Sequence, residues 1–137
     1  MAVQKITRQP DYSDLDLDFI PHPTTKDVVR KTGVDAIKRA VRNLVLTNFY
    51  DRPFQSYIGS NAQKILFDNI NPFSASHLRD AIIEVITNFE PRVSLDSLNP
   101  VIVRVDPDNN GYEAKITFKI INRGELATIN LFLERIR

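Results

Sequence analysis

Beyond an N-terminal arm, the spacing of apolar residues changes once, and this change limits the possible folds more than any other feature. Between about residues 27 and 90, apolar residues recur every three or four positions, which is typical of amphipathic helices. Beyond it they alternate with polar residues, most clearly at Tyr112, Ala114, Ile116, Phe118 and Ile120. Helices followed by strands predict an α+β fold, with two or three helices packed on a C-terminal antiparallel, possibly mixed, sheet.

The first helical pattern lies between residues 27 and 48, and either Thr32 or Asp35 is a candidate for its N-cap. Its apolar stripe consists of Ile37, Val41, Leu44 and Val45. A short helix is predicted over residues 61–67, after a segment that Pro53 and Gly59 interrupt.

The next helical pattern is the clearest one, and Ser74 or Ser76 is expected to cap it. Its apolar stripe consists of Leu78, Ala81, Ile82, Val85, Ile86 and Phe89. Pro91 disfavours helical geometry at Glu90, so the helix should end near Phe89. The strands predicted after it span residues 93–95, 101–105, 112–120 and 126–133, and they form an antiparallel meander.

The chain has 137 residues and 42% hydrophobic content, which suits one domain with a real core. We predict an extended N-terminal arm over residues 1–26 and a single α+β domain over residues 27–137. In the arm, Leu15, Leu17 and Phe19 alternate with aspartates, which is strand periodicity over a short reach. Either this arm is a frayed, solvated terminus, or its apolar side chains dock against the domain or a partner.

Composition excludes several classes of function. The 18 basic and 17 acidic residues nearly cancel, so neither nucleic acid nor an anionic membrane is an expected partner. The chain has no cysteine and no apolar run of the ~20 residues that span a bilayer. Its first ten residues, MAVQKITRQP, lack the hydrophobic core of a signal peptide, so none is expected. No cofactor motif is found. The loop from Asp106 to Gly111 resembles the first half of an EF-hand, but Thr117 stands where that loop needs glutamate, so no metal is expected.

Catalytic residues are equally hard to find. No pair of carboxylates is marked as a hydrolytic pair, and only His22 and His77 could act as imidazole bases. Lys38, Arg39 and Arg42 form a small basic cluster, which is either an ordinary solvated helix face or a surface for an acidic partner. The residues therefore favour a protein that is not an enzyme and that has no catalytic site.

The stretch NFEPRV places a glutamate at the end of the clearest helix, where a negative charge opposes the helix macrodipole. If residues 90–92 are extended, Glu90 and Arg92 point to the same side of a backbone that Pro91 stiffens. We therefore interpret these three residues as a docking unit, in which Arg92 binds a partner and Glu90 accepts hydrogen bonds or orients the Arg92 guanidinium. Replacement of Arg92 by alanine would then abolish docking and leave the fold intact.

The order of these motifs resembles a known family. The motifs are, in order, Leu44-Val45-Leu46-Thr47 at a helix end, Arg52-Pro53-Phe54, a downstream Gly59, and a helix that runs into Glu90-Pro91-Arg92. This order is similar to that of the lysozyme-like baseplate wedge family. Its members are the sheath-initiating wedge subunit of contractile-tailed phages and the matching baseplate subunit of type VI secretion systems. The chain departs from this pattern at Tyr50, where such proteins often have glycine.

The resemblance implies a structural protein of the virion tail baseplate, assembled in the host cytoplasm and present in multiple copies around the tail tube. Its expected partners are the tail sheath protein, which would add a strand to the sheet, and other baseplate wedge proteins. Candidate partner-binding residues are Glu90, Pro91, Arg92, Arg52, Pro53 and Phe54. The candidate sheath-pairing edge is the last strand, at Ile129, Leu131 and Leu133. The alternatives are a lysozyme-like tail enzyme that hydrolyses peptidoglycan and a regulatory adaptor on the same fold.

Overall fold

The computed structural model describes residues 12–16 and 18–136. The chain divides into two compact units, Met1–Ile37 and Lys38–Arg137. The described elements are two short strands, three helices and a four-stranded sheet, in that order. This arrangement confirms the predicted α+β class.

The first unit contains a two-stranded antiparallel ribbon. Its strands are β1 (Ser13–Leu15) and β2 (Arg30–Thr32). Asp16, which follows β1, is buried and lies 3.5 Å from the Lys31 ammonium group. Leu15 and Phe19 are exposed, whereas Leu17 lies outside the described residues. In this part of the chain the carboxylate of Asp16 is buried beside Lys31, whereas the apolar side chains of Leu15 and Phe19 face solvent.

Helix α1 spans Gly33–Leu46. The predicted stripe is confirmed, because each of its members is at most 5% exposed: Ile37, Val41, Leu44 and Val45. Gly33 has a φ of 62°, which suits glycine at the point where β2 passes into the helix. At the other end, the Thr47 hydroxyl donates to the Asn43 carbonyl oxygen at 2.6 Å, so the last turn is satisfied locally.

Helix α2 is short, Ala62–Ile65, and helix α3 spans Pro72–Phe89. The predicted serine caps of α3 are wrong. Asn71 is the N-cap, since its backbone is extended and its side-chain oxygen accepts a hydrogen bond from the Ser74 amide at 2.7 Å. Pro72 occupies the first helical position, where its missing N–H costs no hydrogen bond. The helix ends at Phe89, as Pro91 predicts.

The sheet consists of β3 (Val93–Ser94), β4 (Val101–Asp106), β5 (Gly111–Ile120) and β6 (Leu126–Glu134). Strand β5 pairs antiparallel with each of the other three strands. The predicted inner face is confirmed, because Tyr112, Ala114, Ile116, Phe118 and Ile120 are at most 1% exposed. Burial of one such large side chain stabilises the fold by roughly 1.5–3 kcal/mol. Helix α3 packs over β4 and also contacts β3, so part of the core lies between α3 and the sheet.

Candidate functional site

Glu90 and Arg92 form a bidentate ion pair at the junction between α3 and β3. The Arg92 Nε donates to Glu90 Oε1 at 2.6 Å, and Nη2 donates to Oε2 at 2.8 Å. The carboxylate side chain is only 6% exposed, whereas the guanidinium side chain is 33% exposed. The two side chains therefore lie on one side of Pro91, as the spacing predicts, but the guanidinium fork binds Glu90 within the chain.

Backbone hydrogen bonds hold this pair between the helix and the sheet. The Glu90 amide donates to the Ile86 carbonyl oxygen at 3.0 Å and closes the last turn of α3. The Arg92 carbonyl oxygen accepts from the Ile121 amide at 3.1 Å, beside the end of β5. Glu90 lies at the negative end of the helix macrodipole, and the adjacent Arg92 guanidinium offsets that unfavourable position. The pair is therefore flanked by backbone hydrogen bonds on both sides, and its cation is about one-third exposed.

The loop from Asn48 to Ser60 carries the second predicted motif. Within it, Arg52, Pro53 and Phe54 are exposed. Tyr50 and Phe54 have φ values of 72° and 70°, a left-handed conformation that costs a bulky residue roughly 1–2 kcal/mol. This conformation explains why glycine suits the position of Tyr50. Strained, exposed aromatic residues of this kind are concentrated at functional surfaces.

Gly59 closes the loop by a close backbone approach. A Cβ at this position would lie 2.4 Å from the Asn48 carbonyl carbon and from the Phe49 nitrogen. Nearby, the Ser60 amide donates to the Thr47 carbonyl oxygen at 2.8 Å. The loop ends are therefore held together by backbone contacts that only glycine allows.

We expect Gly59→Ala to lower the free energy of unfolding by about 1–3 kcal/mol, because the new methyl group would overlap backbone atoms that cannot rotate away. Urea denaturation measures this change. Ser56→Ala, on the exposed part of the same loop, is the matched control and should change stability by less than about 0.5 kcal/mol. Equal stability of the two variants would contradict the proposed close approach.

The outer edge of β6 is the third candidate site. The Arg135 amide donates to the Asn110 carbonyl oxygen, and the Ile120 amide donates to that of Glu125. Since hydrogen-bonded pairs recur every second residue in an antiparallel ladder, odd-numbered residues of β6 bond to β5. Their even-numbered neighbours direct N–H and C=O groups outward, and no described strand pairs with them. These residues are Leu126, Thr128, Asn130, Phe132 and Glu134.

This pattern locates the predicted sheath-pairing residues. Ile129, Leu131 and Leu133 belong to the strand at the edge, but their backbone groups bond to β5. The side chains of Leu131 and Leu133 are buried, at 5% and 3% exposure. Any pairing at this edge would therefore use the backbone of the residues between them.

The opposite edge of the sheet, at β4, is partly closed. The Thr117 amide donates to the Pro100 carbonyl oxygen, so the same alternation directs the Val101 carbonyl oxygen away from β5. Arg79 of α3 donates from Nε to this oxygen at 3.2 Å. A side chain from the covering helix thus occupies an acceptor that an added strand would need. Sequence reasoning missed Arg79, because nothing in the local pattern marks a contact across 22 positions.

The loop that carries the second motif contacts the end of the helix that leads into the first motif. The Tyr57 ring of the loop lies 6.4 Å from the ring of Phe89, the residue before Glu90. Arg92 bonds beside one end of β5 on the side of β3, whereas β6 pairs along the other side. The ion pair and the open edge of β6 therefore lie on different sides of β5.

The described residues offer little for catalysis or metal binding. His22 and His77 are exposed, and the Nδ1 atom of His22 accepts from the Thr24 amide at 3.2 Å. Within residues 12–16 and 18–136, no cluster of three metal-ligating side chains occurs, and no helix is long and apolar enough to cross a bilayer. The loop from Asp106 to Gly111 is a turn. Side-chain and backbone hydrogen bonds from Asn109 lower the pKa of the Asp106 carboxyl in it.

Comparison with known proteins identifies the family. The family model described as baseplate wedge protein gp25 matches residues 31–124 of the chain. The chain belongs to this family. It is 29% identical over 123 residues to baseplate wedge protein gp25 of Enterobacteria phage T4, covering 89% of this chain and 90% of the phage protein. Membership in the gp25 family makes it a baseplate wedge protein of contractile tail systems, and confirms the predicted resemblance and virion location.

Solved structures show the same fold at low identity. A putative tail lysozyme from Geobacter sulfurreducens matches with a TM-score of 0.68 and 16% identity, covering 80% of this chain and 96% of that one. The anti-feeding prophage baseplate contains a chain with a TM-score of 0.60 and 20% identity, covering 92% and 87%. A chain of the postcontraction baseplate of pyocin R2 matches with a TM-score of 0.52 and 15% identity, and the match covers 88% of this chain and 98% of that one. The fold of this gp25-family member is therefore shared by baseplate proteins and by a protein named as a lysozyme.

Proposed function

We propose that this wedge protein starts sheath assembly by offering the outer edge of β6 to an extended segment of the tail sheath protein. The observation that carries the proposal is the row of outward N–H and C=O groups from Leu126 to Glu134, which no described strand covers. Such a row is a template for an added strand, because each exposed backbone group gains a hydrogen-bond partner. The sheath then extends from a strand already fixed in the baseplate.

The blocked edge at β4 supports this choice of edge. Arg79 already bonds to the outward carbonyl oxygen of Val101, so an added strand at β4 would have to displace a guanidinium group. No corresponding side-chain bond among the described residues occupies an outward backbone group of β6 between Leu126 and Glu134. Strand addition is therefore directed to one edge of the sheet.

We further propose that the ion pair of Glu90 and Arg92 docks the protein to other wedge proteins. Arg92 presents a half-exposed guanidinium that Glu90 holds in one orientation, so little side-chain entropy is lost on binding. The exposed residues Arg52, Pro53 and Phe54 would widen this surface, because their loop contacts Phe89 through Tyr57. A carboxylate or the C-terminal end of a helix is the partner chemistry that fits.

We propose that the protein is present in multiple copies around the tail tube. The related anti-feeding prophage baseplate was solved with six-fold symmetrisation. Each copy would dock through the ion pair and leave its β6 edge open, because β5 separates the two surfaces. One sheath segment would then bind each wedge.

Peptidoglycan hydrolysis is the alternative function, and the name of the Geobacter neighbour favours it. We propose that this chain is not an enzyme, because the buried carboxylate of Glu90 is held by the Arg92 guanidinium. Both of its oxygens accept hydrogen bonds within the chain, so the group is not presented to a substrate. Clearing of a purified cell-wall suspension by the protein, and loss of clearing in Glu90→Gln, would overturn this part of the proposal.

Purified sheath protein provides the test of the proposed function. Sheath subunits are mixed with assembled baseplates that contain or lack this protein, and ordered polymers are counted by electron microscopy. We expect sheath to grow from the baseplate only when the protein is present. Growth of equal extent in its absence would refute the proposal.

A further inference from the structure

The open edge of β6 is closed at one end. Ile136, which follows the strand, donates its amide N–H to the Leu66 carbonyl oxygen at 3.1 Å. By the alternation described above, Ile136 belongs to the same outward-facing series as Phe132 and Glu134. The segment after α2 therefore occupies the position into which an added strand would otherwise continue. A strand that pairs with β6 must end before Ile136.

An apolar cavity lies at this closed end. Its volume is about 200 Å³, and its walls include Leu46, Ala62 and Leu66 on the helical side. Phe132, Leu133 and Ile136 line the strand side. A cavity of roughly 150 Å³ in a protein core holds a benzene molecule, so this one has room for a single branched or aromatic side chain.

We infer that this cavity receives one apolar side chain of the strand that pairs with β6, and that it sets the register of that strand. This inference rests on the proposed function, since it needs a sheath segment at the β6 edge. Residues directly opposite each other in a sheet direct their side chains to the same face. The strand residue opposite Leu133 therefore points to the face on which Leu133 is buried, beside the cavity.

Charge complementarity defines the neighbouring residue of the same strand. Glu134 lines the rim of the cavity, and its side chain is exposed on the solvated face. The strand residue opposite Glu134 shares that face, where an opposite charge across the strands is favourable. The segment that fits is thus an extended sheath segment with an apolar side chain next to lysine or arginine.

The two features together select one register. Side chains in a strand alternate between faces, so a slip by one residue would exchange the apolar and the basic side chain. The basic group would then point to the face on which Leu133 is buried, and the apolar side chain would point to the solvated face of Glu134, so both favourable contacts would be lost. A slip in the other direction would drive the strand end against Leu66. The closed end and the cavity therefore fix where the sheath segment stops.

Binding of overlapping synthetic peptides from the sheath sequence tests the inference, with fluorescence polarisation as the readout. We expect the tightest peptide to contain an apolar–basic pair, and to lose at least about tenfold in affinity when the apolar residue becomes aspartate. Leu46→Trp, which narrows the cavity from a half-exposed position, should weaken this peptide by about tenfold. It should not weaken a peptide in which the apolar residue is shortened to alanine. Leu98→Trp, at a fully exposed loop position, is the matched control.

The outcomes separate this inference from the proposed function. If Asn130→Pro, which blocks the edge, abolishes peptide binding while Leu46→Trp leaves it within about twofold, the edge is used and the cavity inference is overturned. If no sheath peptide binds and sheath assembly is indifferent to Asn130→Pro, the proposed function itself fails. The inference is supported if Leu46→Trp weakens binding of the peptide with the large apolar residue and leaves binding of the alanine peptide unchanged.

Discussion

Arg92→Ala is expected to lower the free energy of unfolding by about 3 kcal/mol, because it leaves the Glu90 carboxylate buried without its counter-charge. The Glu90 side chain is 6% exposed and receives two hydrogen bonds from Arg92. We place the effect at the low end for buried pairs, since the Arg92 side chain is 33% exposed and partly solvated. Urea denaturation with an unchanged slope measures it.

The double variant Glu90→Leu with Arg92→Leu is the control for this prediction. Replacement of both members by apolar residues of similar size removes the unpaired charge, so its stability should return close to that of the wild type. If Arg92→Ala alone unfolds at the wild-type urea concentration, the carboxylate does not depend on the pair for its burial, and our description of the site is incorrect.

The same burial changes how the docking role is tested. From the sequence, Arg92→Ala would remove docking and leave the fold intact, but the structure predicts a loss of stability that would obscure the result. Arg92→Lys keeps the positive charge beside Glu90 and removes the planar fork. Reduced incorporation of this variant into wedges, with stability largely retained, would identify the guanidinium geometry as the docking determinant. Normal incorporation would remove it from the proposed surface.

Asn130→Pro is expected to abolish sheath initiation and leave the protein folded. The N–H group of Asn130 faces outward from β6, so proline removes no hydrogen bond of the sheet. Its ring takes away one donor of the open edge and obstructs the approach of another strand. Circular dichroism and urea denaturation check the fold, and electron microscopy of sheath growth on assembled baseplates measures initiation.

Two variants bracket this prediction. Asn130→Ala keeps the backbone N–H and should initiate sheath growth normally. Ile129→Pro removes a donor that bonds to β5, and should destabilise the domain by about 3 kcal/mol or more. Sheath growth from folded Asn130→Pro at the wild-type level would show that the β6 edge is not the site of initiation.

Local hydrophobic patterns predicted much of the fold. The alternation in β5 and the stripes of α1 and α3 each place an apolar face toward the core, and burial alone drives that choice. The end of α3 at Phe89 could also be predicted, because Pro91 restricts the backbone of the residue before it. The N-cap of α3 could not be predicted in the same way, since Asn71, Ser74 and Ser76 are all of residue types that cap helices well. Pro72 was the signal that should have decided for Asn71.

The candidate site depended on contacts that no local pattern contains. The spacing predicted that Glu90 and Arg92 share a side, but their burial depends on how the turn packs between α3 and β3. Arg79 closes one sheet edge by bonding to Val101, 22 residues further along the chain. Leu66 closes the end of the other edge by bonding to Ile136, 70 residues further along. Such pairs follow from tertiary packing, so the sequence indicated an edge strand but not which backbone groups remain open.

Amide hydrogen exchange, measured by NMR with and without bound sheath peptide, tests the central claim most directly. In the free protein, the amides of Thr128, Asn130 and Phe132 should exchange quickly, because they face outward, whereas those of Ile129, Leu131 and Leu133 should be protected by β5. Bound peptide should protect the first set and leave the second unchanged. The claim would be contradicted if the first set stayed unprotected in the complex, or if protection appeared at Val101, Val103 and Val105 of β4.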